Sequence, residues 1–396
     1  MVNLFLFLGI VFLLTFLLGK LIEKLRVPWI FAALLLGSFL SVYNPFESAV
    51  SSPEFTFLAQ LGMYFLLFVI GFEINLGELK KQGRFIFKAT FFIIFLEAVF
   101  GSLLIHFVFG YEWVISFVVA LSFATVGEAI LIPILDKFKI VNTKLGQSII
   151  GIGTLDDIIE IMTLIIVIFL IGSSESTAHL NIVITLIALF VLFGLAFGLI
   201  AFGLVKFKNK GDRFSFSSIE NLFIFVLFIL FLFLGIGEYA HAAAVAALLS
   251  GIAVRTFIPK KRIETIESEV KTICYGFFAP LFFLWVGATL NIEYLITYPL
   301  LILLVVGVSN AAKVLGSWIV GRKELGAKKS VLLGIGLSVR FSTSLIIIKM
   351  LFENNLIESG LYSVLIASSI VFKFIIPFLF SNLLVRWGVA KVKKKN

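Results

Sequence analysis

Residues 145–171 read LGQSIIGIGTLDDIIEIMTLIIVIFLI. This run exceeds the roughly twenty apolar residues that cross a hydrocarbon core about 30 Å thick. Yet it carries Asp156, Asp157 and Glu160 in its middle. Comparable apolar runs recur on both sides of it along the whole chain. The 396 residues are 61% hydrophobic and only 14% charged, with a mean hydropathy of +1.14. A soluble domain normally has about 25% charged residues. The chain therefore reads as all-α, a polytopic membrane helix bundle of about thirteen transmembrane helices, with no soluble regulatory domain. The expected spans are 2–19, 29–42, 56–73, 85–108, 113–135, 145–171, 180–205, 218–235, 242–257, 273–290, 294–320, 330–351 and 361–385.

The loops between these spans alternate in charge. Lys20, Lys24 and Arg26 are followed by a loop holding Glu47 and Glu54 without Lys or Arg. The same alternation continues through Lys80, Lys81 and Arg84, through Lys137, Lys139 and Lys144, and on to the basic tail Lys391 to Lys395. Basic loops stay on the cytoplasmic side, which places the N-terminus outside and the C-terminus inside. That arrangement requires an odd number of spans. The formal charge of +9 is thus a matter of topology and does not imply nucleic acid. The N-terminus lacks the basic region and cleavage site of a signal peptide, so the first span is retained. The expected location is a multi-pass position in the plasma membrane of a prokaryote.

The halves also resemble each other. An offset of about 216 residues aligns Gly71 and Asn75 with Gly287 and Asn291, Glu97 with Lys313, and Asp157 with Lys373. It also brings SFATVGEAI (122–130) onto SVRFSTSLI (338–346), and Ala32 to Leu35 onto Ala246 to Leu249. The shift moves the fourth span onto the eleventh, so mates cross the membrane in opposite senses. Two inverted six-helix repeats result, about 1–173 and 218–388, joined by a linker helix at about 180–205. Inverted repeats point to alternating access around a site at the membrane midplane.

Charged residues inside spans are costly and mark function. Asp156 and Asp157 cannot easily both ionise in low dielectric, so one is expected to hold a proton near neutral pH. The same oxygens can instead take a small cation, and competition for one carboxylate gives exchange. Lys313 needs a carboxylate partner; Asp156 is the expected one, and Glu97 the alternative. Thr125-Val-Gly127-Glu128 and Phe341-Ser342-Thr-Ser344 are expected to interrupt their helices. Backbone groups freed there can coordinate a cation or balance the carboxylates. Glu160 falls one turn after Asp156 on the same face. Arg340 is expected to pair with Glu128 or Glu160. Lys373 is either a fixed charge of the second half or a snorkelling side chain. One cysteine and three histidines offer no disulfide and no resident metal cluster. No nucleotide loop or nucleophile–histidine set appears, so neither an enzyme nor a cofactor is expected.

On these residues the chain resembles the second monovalent cation:proton antiporter family, the NapA- and Kef-like sodium/hydrogen exchangers. The likeness rests on Leu67-Phe-Val-Ile-Gly-Phe-Glu-Ile-Asn75, on Phe277-Phe-Ala-Pro-Leu-Phe-Phe283 with Gly287, and on Asp156-Asp157 and Lys313. It implies a core domain with two crossing, unwound helices and a panel domain that forms a homodimer. It also implies that Asp157 alternates between proton and cation, that Asp156 partners Lys313, and that Thr125 belongs to an unwound crossing. Relatives with an Asp-Asp pair are typically electrogenic. Two departures stand out: Arg340-Phe341-Ser342 replaces the Arg-Gly-Glu of many relatives, and Glu128 stands where a small or hydroxyl residue is usual. The expected activity is antiport of Na⁺ or K⁺ against protons. The rivals are an ion channel, a sodium-coupled symporter of an organic anion, and a sensor that has lost transport.

Overall fold

The computed structural model describes residues 3–23, 28–74, 83–126, 128–173, 187, 190–199, 201, 218–239, 242–258, 260–339 and 342–389. No strand occurs among them. In chain order the helices are α1 (Leu4–Glu23), α2 (Phe31–Val42), α3 (Glu47–Val50), α4 (Pro53–Glu73), α5 (Arg84–Phe109), α6 (Trp113–Phe123), α7 (Glu128–Lys137) and α8 (Lys144–Ser173). After α9 (Phe190–Leu199) come α10 (Ile219–Glu238), α11 (Ala243–Phe257), α12 (Lys260–Ile273), α13 (Ala279–Ala288), α14 (Ile292–Thr297), α15 (Pro299–Leu325), α16 (Ala327–Leu337), α17 (Ser342–Glu353) and α18 (Ser359–Arg386). The expected linker at 180–205 lies largely outside the described residues; α9 is the helical part of it that is described.

Seven of the described helical stretches are long and apolar enough to cross a membrane, among them α1, α4, α5, α15 and α18. Most other expected spans appear as shorter apolar helices, and two have a specific cause. The expected spans 113–135 and 330–351 are each split in two, with non-helical backbone at 124–126 and 338–339. The first interruption falls where Thr125 and Gly127 predict it. The second lies a few residues before Thr343 and Ser344, which sit inside α17. The expected span 273–290 starts earlier than its hydropathy implies. Helix α12 runs into a π-helical turn, Cys274–Phe278, and on into α13. The basic triplet at 260–262 is therefore the start of a helix and not a loop. Helical spacing sets this: Glu267 and Lys271, one turn apart, are bridged at 2.6 Å.

The chain forms two compact units. One comprises 1–15, 33–75 and 164–288; the other comprises 16–32, 76–163 and 289–396. In the first, α4 lies against α11, and α2 against α13, backbone to backbone. A Cβ on Gly71 would fall 2.0 Å from the Leu248 carbonyl oxygen, and one on Gly251 would fall 2.2 Å from that of Phe68. The other pair repeats this with roles exchanged: Gly287 meets the Leu34 carbonyl at 2.2 Å, and Gly37 meets that of Leu284 at 2.1 Å. Gly71 and Gly287 are repeat mates in the sequence alignment, as are Leu34 and Leu248. The inverted repeat is thus visible in packing as well as in sequence.

Candidate cation and proton site

The second unit holds both interruptions. Helix α6 ends at Phe123, where Ala124 N–H bonds the Leu121 carbonyl at 3.0 Å. The next peptide, between Thr125 and Val126, leaves the helical ladder. Buried without partners, its two polar groups would each cost free energy. Both are satisfied by charged side chains. Val126 N–H donates to Asp156 Oδ2 at 2.6 Å, and the Thr125 carbonyl accepts from Lys313 Nζ at 2.9 Å.

The second interruption is closed in a related way. Helix α16 tightens at its end through Ser338 N–H to the Ile335 carbonyl and Val339 N–H to the Gly336 carbonyl, both 3.1 Å. The Leu337 carbonyl accepts from the same lysine, at 2.6 Å from Nζ. One ammonium on α15 therefore ties the two breaks together. Lys313 is fully buried (0% exposed), and Asp156 (1%) and Thr125 (3%) are nearly so.

Another carboxylate lies near the ammonium. Glu97 Oε2 lies 3.4 Å from Lys313 Nζ, and its other oxygen, Oε1, accepts from the Ser309 hydroxyl. Small residues permit this meeting of α5 and α15. A Cβ on Gly316, one turn after Lys313, would stand 3.3 Å from the Cα of Ile93, one turn before Glu97. Asp156 was the expected partner of Lys313. At ion-pair distance the structure records the alternative, Glu97, while Asp156 reaches the neighbouring atom of the same peptide.

Glu160 is buried on α8 one turn after Asp156, as its spacing predicts. The backbones of Asp157, Glu128 and Ser342 are helical, but their side chains lie outside the described residues, as does all of Arg340. Lys373 is buried (1% exposed), with its ammonium 3.8 Å from the centroid of the Phe31 ring. That places it against an aromatic face inside the bundle.

Sequence reasoning missed one group entirely. Lys349 on α17 is fully buried, ion-paired with Glu353 at 2.7 Å and bonded to Thr289 Oγ1 at 2.9 Å. Thr289 in turn bonds the Tyr362 hydroxyl at 3.0 Å. Near the end of a span, a lysine four residues before a glutamate resembles a surface pair, which hides this role.

Comparison with known proteins agrees with this architecture. A chain of 26% identity is the Na⁺/H⁺ antiporter of Enterococcus hirae, matched over 84% of this chain and 85% of that protein. The Na⁺/H⁺ antiporter NhaS5 of Synechocystis is 29% identical over 79% of this chain and 44% of its own. In fold, the chain is similar to the sodium proton antiporter MjNhaP1 from Methanocaldococcus jannaschii at pH 8. The two superpose with a TM-score of 0.68 at 17% identity, covering 96% of this chain and 98% of the other. Residues 10–386 match the model of the transmembrane sodium/hydrogen exchanger family. Two buried helix breaks, a carboxylate bonded to one of them and a lysine shared by both thus stand in a chain that belongs to the sodium/hydrogen exchanger family.

Proposed function

We propose that the protein is a secondary active antiporter that exchanges a monovalent cation, Na⁺ or K⁺, for protons by alternating access. The observation that carries this reading is the buried Asp156 carboxylate on the Val126 amide, beside a break that Lys313 shares with its counterpart. A carboxylate held at a freed backbone amide, with a second one next to it in sequence, offers hard oxygen ligands to a small cation, and the same oxygens bind a proton when the cation is gone. Asp157 is the group that changes occupant, and Asp156 and the Thr125 region supply further oxygens. Lys313 offsets the negative charge between loadings. Glu128, Glu160, Ser342 and Arg340 tune the charge around the breaks. The names of the relatives as Na⁺/H⁺ antiporters support the exchange reading.

Loop charge supports an outside N-terminus and a cytoplasmic C-terminus in a prokaryotic plasma membrane. The working form is a homodimer, with lipid as its surroundings. The test is proton flux in proteoliposomes on addition of Na⁺, K⁺ or Li⁺, with the potential clamped or free. Cation-driven proton movement is expected for the natural chain and its loss for Asp157→Asn. Exchange that survives in Asp157→Asn, or a natural chain inert to all three cations, overturns the reading.

A further inference from the structure

Glu97 lies outside the aspartate pair, on a helix that carries no interruption. Its carboxylate nevertheless faces the ammonium that both breaks share, at 3.4 Å from Nζ. The two carbonyls that Lys313 also bonds carry only partial charges. A buried ammonium is stabilised by a full counter-charge with its own hydrogen bonds satisfied. Glu97 meets that requirement: it is 2% exposed, and Ser309 donates to its second oxygen. Beside it lies a small cavity of about 20 Å³, lined by Glu97, Ser309, Val305, Val119, Ala120 and Phe123.

We propose that Glu97 sets the cation affinity of the exchange site by neutralising Lys313. The idea rests on the exchange reading above and assigns a positioning residue within it. With Glu97 charged, part of the lysine's positive charge is balanced locally, and the aspartates remain available to a cation. Without that charge, Lys313 presents its full positive charge to the Thr125–Val126 peptide and the carboxylate beyond it. The ammonium then competes with the transported ion. Glu97 acts through Lys313 and needs no contact with the ion.

The experiment uses the full chain, purified for cation-dependent melting shifts and reconstituted for flux. Glu97→Gln is expected to raise both the KM for Na⁺ and the Kd from melting shifts by about tenfold, with kcat changed far less. Glu97→Asp should recover most of the affinity, and Ser309→Ala, which only loosens the carboxylate, should cost about twofold to threefold. In a Lys313→Met background, Glu97→Gln should leave the Kd unchanged, because coupled residues do not add. The proposal is overturned by a Glu97→Gln Kd within twofold of the natural protein, or by a full additive effect in the Lys313→Met background. Should Glu97→Gln fail to fold, Ser309→Ala decides, a Kd unchanged from the natural protein counting against the proposal. A natural chain without exchange defeats the functional reading; a natural chain that exchanges but is indifferent to Glu97 defeats only this one.

Discussion

The two compact units use the same inverted repeat in opposite ways. In the unit of 33–75 and 164–288, the repeats form two equivalent pairs of whole helices, α4 on α11 and α13 on α2, and glycine removes the side chains that would hold their backbones apart. In the unit of 76–163 and 289–396, repeat mates are interrupted, and charged side chains occupy the backbone groups that the interruptions release. Shape decides the first unit and electrostatics the second. Close packing needs small residues at a few positions and tolerates little change there. Buried charge needs partners, and a broken helix supplies them without another side chain.

Substitutions can break this contrast or sharpen it. The largest effect is expected from Asp157→Asn in the second unit, which should abolish cation-driven proton flux in proteoliposomes while leaving the melting temperature close to that of the natural chain. Next come Gly71→Val and Gly287→Val in the first unit. Each puts side-chain atoms into a carbonyl oxygen about 2 Å away, and each should destabilise by about 3 kcal/mol, read as a lower melting temperature or lost folded yield. The two should match in size. A large effect from one and none from the other would end the claim that repeat mates share a packing role.

Lys349→Met probes a charge of the second unit that lies outside the ion site. Lys349 is buried but the Glu353 side chain is 38% exposed, so losing this ion pair and the bond to Thr289 costs about 1–2 kcal/mol, and stability should fall while the KM for Na⁺ stays put. A raised KM would extend the ion site to α17. The smallest effect belongs to Lys144→Gln. Its partner Glu324 is 2.6 Å away, but the two side chains are 59% and 49% exposed. Melting should shift by less than the equivalent of about 1 kcal/mol, and less still at high salt.

Hydropathy made the spans legible because a membrane helix satisfies its own backbone and needs only apolar side chains. The repeat was legible because Gly71 and Gly287 do the same work against Leu248 and Leu34. The first break could be read from Thr125 and Gly127. The second could be read only approximately, since Thr343 and Ser344 are helical once α17 begins. Helix α12 was hidden by the basic triplet at its start, although Glu267 and Lys271 carry helical spacing. The partner of Lys313 was legible only as a choice between Asp156 and Glu97. It depends on the rotation of α5 against α15, which is fixed by contacts such as Gly316 on Ile93 and not by the type of either charged residue.

The peptide between Thr125 and Val126 has a consequence for how its charges can be rearranged. Because an amide is planar and trans, its carbonyl and its N–H point to opposite edges. Its dipole places the negative end on the Lys313 ammonium and the positive end on the Asp156 carboxylate. The assembly therefore has polarity, like a battery seated between two terminals. An ordinary ion pair can tolerate having its members exchanged. Here, exchanging lysine and aspartate would set a carboxylate against a carbonyl and an ammonium against an N–H, so the order of charges is fixed by the backbone itself.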